Sequence, residues 1–204
     1  MEKIYLDNSA TTKICKEALD KYIEVSSEHF GNPSSLHALG FDAEKVIEAA
    51  REEIRTSLGA RGASVIFTAS GSEANNLAIT GRAYAKERFA HGKIITTEGE
   101  HASVDEPLSS LVKDGFRVAK IPTRGGRLDI DALERELTPD TVLVTMMMVN
   151  NETGALYDIA AAARLTKSLA KNALVHVDAT QSYMKIPFTK TSLGADMITL
   201  SSHK

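Results

Sequence analysis

Three side chains in this sequence stand where chemistry is easiest to build, each just beyond an apolar run: Lys204, Asp178 and His101. Lys204 ends the stretch ADMITLSSHK, behind a run that reads as a buried strand. An amine held in such a place can lose its proton and act as a nucleophile toward a carbonyl carbon, although a lysine there also reads as a solvated charge. Asp178 follows LVHV, and a carboxylate taken out of water at that point needs a cationic or hydrogen-bonding partner. It therefore suits a protonated ring nitrogen, or more plainly a helix cap or an ion pair. His101, in GEHAS, suits proton transfer, though many loop histidines have no chemical role. Ser70-Gly71-Ser72-Glu73 has the S-x-x-E pattern of a capping box. The same Gly/Ser turn at a helix start also offers free amides and a positive dipole end to a phosphate. Amine, carboxylate and phosphate cup together suit pyridoxal phosphate.

The remaining polar groups carry weaker signals. Asn150 and Asn151 are short amides that commonly cap turns, and Ser201, Ser202 and His203 flank the lysine. No metal site is expected, because His101, His176 and His203 show no ligand spacing around Asp178. His29, His37 and His91 read as surface or turn residues, with His37 set apart by the unusual loop GNPSSLH. Cys15 reads as an ordinary thiol at the head of a helix.

The elements that would position these residues alternate regularly. Strands are expected at 64–68, 93–97, 116–121, 141–149, 174–177 and 197–200. Helices are expected near 72–89, 102–113, 130–137 and 159–170, the last with Asp158 as N-cap. The run TVLVTMMMV has the composition of a strand buried on both faces. An α/β fold follows, with a mostly parallel sheet covered by helices on both faces. Ahead of it, residues 1–60 carry two amphipathic helices, near 16–27 and 43–58, joined by a Gly/Asn/Pro/Ser loop. In such a sheet ligands bind beyond the carboxyl ends of the strands. The sequences that follow five of the strands are ASGSEANN, EGEHAS, NNETG, DATQS and SSHK, whereas the opposite rim has plain turns (AHG, KDG, TPD, KNA). All the candidate chemistry therefore falls on one rim.

Bulk properties are those of a globular protein. With 204 residues, 43% hydrophobic and 25% charged, the chain can bury one sizeable core. A net charge of -3 with no basic cluster argues against nucleic acid as partner. No apolar run is long enough to span a bilayer, Met1-Glu2-Lys3-Ile4 does not begin a signal peptide, and a single cysteine forms no internal disulfide. A cytoplasmic location is the expectation.

Taken in order, YLDNSATT, GNPSSLH, FTASGSEANN, EH, VNNETG, HVDATQ and SSHK resemble the cysteine desulfurase family of class V aminotransferases, from residue 4 to residue 204. The resemblance implies a fold type I pyridoxal phosphate enzyme whose cofactor is carried on Lys204. Asp178 would pair with the protonated pyridine nitrogen, Gln181 would bond the phenolic oxygen, and His101 would stack on the ring and assist proton transfer. Gly71 and Ser72 would cup the phosphate, helped by Ser201 and His203. Asn151 would sit near the cofactor and the substrate carboxylate, and Asn8, Ala10 and Thr11 would line the substrate entrance. Ser72 stands where the family commonly has Thr, and Ser182-Tyr183-Met184 where small residues are usual. The family's nucleophilic cysteine, its substrate-binding arginine and its small C-terminal domain would lie beyond Lys204, so the chain is expected to be an N-terminal half, with residues 61–204 a partial large domain. The implied reaction takes sulfur from L-cysteine as an enzyme persulfide and releases alanine, in a homodimer that serves a sulfur-acceptor protein in iron–sulfur cluster or thio-cofactor assembly. A selenocysteine lyase, another class V lyase or aminotransferase, or a non-catalytic binding or dimerisation module are the alternatives.

Overall fold

The computed structural model describes residues 4–85 and 92–204. The chain divides into two units, Met1–Ile66 with His203, and Phe67–Ser202 with Lys204.

The smaller unit holds α1 (Lys16–Glu28) and α2 (Ala38–Ser57). α2 starts five residues before the expected 43 because His37 caps it, Nδ1 accepting from the Gly40 N–H at 3.4 Å. The Gly/Asn/Pro/Ser loop lies tight on the first turn of α2. A Cβ on Gly40 would fall 2.3 Å from the Ser35 carbonyl oxygen and 2.7 Å from that of Asn32, so glycine alone fits. The strand expected at 64–68 does not form: residues 63–68 belong to no ladder. Their carbonyls turn to α2 instead, Ala63 accepting from Arg55 Nε at 2.9 Å and Val65 from Arg51 Nε at 3.2 Å. A strand needs a neighbour as well as β-propensity, and no described residue pairs with this one. α1 matches its expected span, yet it buries none of its residues, and Tyr22 and Ile23 on its apolar side stay more than half exposed.

The larger unit runs α3 (Gly71–Tyr84), β1 (Lys93–Thr97), α4 (Ala102–Lys113), β2 (Arg117–Ile121), β3 (Thr123–Arg124), β4 (Arg127–Leu128), α5 (Ile130–Glu136), β5 (Thr141–Met147), α6 (Ile159–Leu169), β6 (Leu174–Asp178), α7 (Lys190–Leu193) and β7 (Met197–Thr199). The sheet is parallel throughout, in the order β2-β1-β5-β6-β7. Two elements escape the sequence pattern. The β3–β4 hairpin is two residues a side, turned by Gly125 and Gly126 at positive φ. α7 is a single turn closed by a Thr189–Ser192 capping box. The end of the helix expected at 72–89, and His91, lie outside the described residues.

Register decides which face each side chain serves. The row Ile94–Leu143–Leu174 joins the core beneath α3 and α4, with Ile79, Val104, Leu108 and Leu111. The row Ile95–Val144–Val175 joins the core beneath α5, α6 and α7. Helices thus cover both faces, as expected. Alternation along β6 then puts Leu174, His176 and Asp178 on the α3–α4 side.

His176 is fully buried within the sheet. Its Nδ1 lies 2.7 Å from Thr145 Oγ1 and its Nε2 lies 2.9 Å from Thr199 Oγ1, so the ring ties β5, β6 and β7 together. Burial lowers its pKa to about 4, against the smaller opposing pull of Asp178. A folded-state pKa below the unfolded 6.5 means that the neutral ring stabilises the fold fully above about 6.5, and that this is lost as pH falls toward 4. The urea midpoint of the wild-type protein should drop more steeply across that window than that of His176→Gln. Equal slopes would show that the ring does not carry the linkage.

Candidate active site

The C-terminal rim of the sheet gathers the loops after β1, β5, β6 and β7 around the start of α3. Ser70 caps that helix, Oγ accepting from the Glu73 N–H at 3.1 Å. The capping box is only half formed, because the Glu73 carboxylate reaches past Ser70 to the Ala69 N–H at 2.6 Å. The cap occupies the Glu73 amide and the Ala74 amide returns to the Ser70 carbonyl, whereas helix geometry gives the Gly71 and Ser72 amides no acceptor within the helix. A Cβ added to Gly71 would meet Ser201 Cβ and Thr180 Oγ1 at 3.7 Å, so two hydroxyl residues stand over the bare helix start. Amides, a positive dipole end and nearby hydroxyls fit a phosphate.

Asp178 lies at the end of β6, 7% exposed. Its Oδ2 accepts from Asn75 Nδ2 of α3 at 2.7 Å, and its Oδ1 accepts from the Thr180 N–H at 2.9 Å. A buried carboxylate held by neutral donors keeps its capacity to attract a cation, which fits a protonated ring nitrogen.

His101 is the N-cap of α4. Its Nδ1 accepts from the Ser103 N–H at 3.1 Å and lies 2.9 Å from Ser103 Oγ, while the residue as a whole is exposed. The other predicted residues fall as follows. Ser72 is exposed in the first turn of α3, and Ser201 and Lys204 are half-buried after β7. Gln181 is half-buried and its Oε1 accepts from Lys185 Nζ at 3.3 Å. Asn151 is half-buried in the turn after β5. Its neighbour Asn150 is buried and holds that turn, donating to the Gly99 carbonyl and accepting from the Glu152 and Thr153 amides. His203 groups with the smaller unit, where its carbonyl accepts from the Thr12 N–H at 2.8 Å and its Nδ1 lies 3.2 Å from Thr11 Oγ1. Among the described residues no cluster of three or more His, Cys, Asp or Glu side chains is arranged to hold a metal.

Sequence reasoning missed Asn75, Ser103, Thr180 and Glu100. The last adjoins His101 and fixes its loop: both Glu100 oxygens accept from the Met147 N–H on β5 at 3.0 Å, and Oε1 lies 2.5 Å from Thr97 Oγ1. Burial pushes the Glu100 pKa up to about 8, with the bonds to Thr97 and Met147 opposing and the charges of Asp178 and Asp105 adding to the rise. The only forewarning was an acid placed next to a loop histidine. The folded protein therefore keeps a proton on Glu100 that the unfolded chain releases near 4.5, so this group favours the fold most below 4.5 and progressively less as pH rises to about 8. Glutamine copies the neutral acid, donating to Thr97 and accepting from Met147. Glu100→Gln should hold its unfolding midpoint better than wild type between pH 5 and 8, the range inside that window. A wild-type midpoint that tracks the variant's would contradict the raised pKa.

Comparison with known proteins gives the family. The sequence profile of the Aminotransferase class-V family matches residues 4–204. The cysteine desulfurase of Trichormus azollae is 39% identical over 205 residues, spanning 100% of this chain and 50% of that protein. A solved structure described as a NIFS-like protein superposes with a TM-score of 0.95 at 35% identity, over 99% of this chain and 55% of its own. Another, described as SspA in complex with cysteine, gives a TM-score of 0.88 at 34% identity, over 98% of this chain and 57% of its own. The chain spans about half the length of the curated relatives it matches. With a parallel sheet, a polar C-terminal rim and a profile match that begins at residue 4 and runs to the last, the chain belongs to the aminotransferase class-V family.

Proposed function

We propose that this chain carries the cofactor-holding part of a pyridoxal phosphate-dependent cysteine desulfurase. The observation that supports it most is the Asp178 carboxylate, buried and held by Asn75 and Thr180 on the same rim as the Gly71–Ser201 cradle. The relatives named cysteine desulfurase, and the relative whose structure contains cysteine, supply the substrate.

Bound pyridoxal phosphate supplies an electron sink that weakens the bonds at a substrate α-carbon. The chain's own residues hold and move protons around it. Asp178 would keep a proton on the ring nitrogen, because a carboxylate beside such a cation raises its pKa by roughly 1–3 units. Lys204 carries the cofactor and moves a proton to and from the substrate α-carbon through Nζ. His101 would lie toward the ring and assist proton transfer, and Gln181 would bond the phenolic oxygen. The Gly71 and Ser72 amides, with Ser201 and His203, would hold the phosphate, and Asn151 would lie toward the substrate carboxylate. Overall, L-cysteine and an enzyme thiol become L-alanine and an enzyme persulfide, the C–S bond breaking as the S–S bond forms. That thiol is a cysteine other than Cys15, which stands exposed at the head of α1. The persulfide sulfur then passes to an acceptor protein for iron–sulfur cluster or thio-cofactor assembly, in a cytoplasmic homodimer. No helix among the described residues is long and apolar enough to cross a membrane.

In the intact protein loaded with pyridoxal phosphate, L-cysteine and a reductant should yield sulfide and alanine in equal amounts, faster than selenocysteine yields selenide. Lys204→Ala should lower turnover by roughly 10²–10⁴-fold or more. Full turnover in that variant, or no alanine from the wild type, would sink the proposal.

A further inference from the structure

We propose that Asn75 and Ser103 form a relay that ties the Asp178 carboxylate to the His101 ring and holds neutral His101 with its proton on Nε2. Asn75 stands far in the sequence from both of its partners, whereas Ser103 lies two residues from His101. α3 brings Asn75 in its first turns, α4 brings Ser103 in its first turn, and the two helices pack side by side over the face from which Asp178 projects.

The direction of every bond in the chain follows from what each atom can do. Asn75 Nδ2 lies 2.7 Å from Asp178 Oδ2 and 3.0 Å from Ser103 Oγ. A carboxylate oxygen accepts, so the amide must face it with its NH2, and the reversed amide would set two acceptors against each other. The second hydrogen of that NH2 goes to Ser103 Oγ, which is thereby an acceptor from Asn75 and has its own hydrogen to give. That hydrogen points to His101 Nδ1, 2.9 Å away. The Ser103 backbone N–H, 3.1 Å from the same nitrogen, can only donate. Two donors converge on Nδ1, so Nδ1 carries a lone pair and the proton of the neutral ring sits on Nε2.

The orientation of Asn75 has a visible consequence. The residue is 1% exposed, and its Oδ1 is buried with no hydrogen-bond partner among the described residues. Burying an unpaired acceptor is unfavourable. Here the amide keeps its NH2 on Asp178 and Ser103 and leaves the oxygen unpaired. Asn75 and Ser103 are positioning residues, acting through Asp178 and His101. The proposal's kinetic arm rests on the desulfurase reading above, whereas its tautomer arm does not.

The test uses the intact protein with 15N-labelled histidine, and His101→Gln identifies the His101 ring signals. Long-range proton–nitrogen correlations at alkaline pH should show the Nε2–H tautomer, with and without pyridoxal phosphate; a proton on Nδ1 overturns the relay. This arm needs no variant at Asn75 or Ser103 and reads the same whatever the substrate proves to be. With cysteine as substrate, Ser103→Ala and Asn75→Ala should each lower kcat by roughly 10–100-fold, the range typical of residues that orient a reacting ligand, with KM changing less. Ser103→Thr, which keeps the hydroxyl, should restore most of the loss. In the double variant the loss should match the larger single loss, because both substitutions cut one chain. Losses that multiply, or Ser103→Thr no better than Ser103→Ala, overturn the coupling.

Discussion

The hydrogen bonds at Asp178 join elements that chain order leaves far apart. One oxygen takes the Asn75 amide of α3 and the other takes the Thr180 N–H in the loop beyond β6. A carboxylate that is 7% exposed at the end of a parallel strand would be costly without those donors. Meeting its needs sets where α3 sits over the sheet, and with it where the Gly71 amides open. Both of these donors are neutral groups.

Around that point the sheet supports the rim with bonds that run across strands. His176 spans β5, β6 and β7 two residues before Asp178 on the same face of β6, and Glu100 pins the β1–α4 loop to the Met147 amide of β5. At the opposite rim, Arg82 near the end of α3 donates to the Val142 and Asn172 carbonyls, fixing the far end of the same helix. Glu100 and His176 are both pushed toward neutrality, Glu100 by a raised pKa and His176 by a lowered one. Their effects on stability therefore run in opposite directions with pH.

Much of this was legible from residue order. An apolar run followed at once by Asp178, and a Ser70–Glu73 pattern ahead of a helix, announce a strand end and a helix start. The rule that ligands gather at strand carboxyl ends then brings them together. Asn75 and Ser103 were not legible, because their roles depend on how α3 and α4 are rotated against each other, which spacing within one helix does not reveal. Glu100 looks like any loop acid until the sheet buries its carboxyl. The run 64–68 has strand composition, but composition does not supply a ladder partner, and its carbonyls found Arg51 and Arg55 instead. α1 shows the converse: its helical spacing was readable, while the exposure of its apolar side was not. The β3–β4 hairpin and α7 are too short for periodicity to register, although the Gly125-Gly126 pair marks the turn.

The central claim is that this rim holds pyridoxal phosphate with Lys204 as its attachment point, and it can be read without any turnover. The intact protein, incubated with pyridoxal phosphate, is reduced with borohydride, digested and mapped by mass. A pyridoxyl adduct on the peptide that contains Lys204, lost in Asp178→Ala or greatly reduced there, is the expected result. An unmodified Lys204 peptide, or an adduct spread over surface lysines such as Lys16 and Lys45, would contradict it.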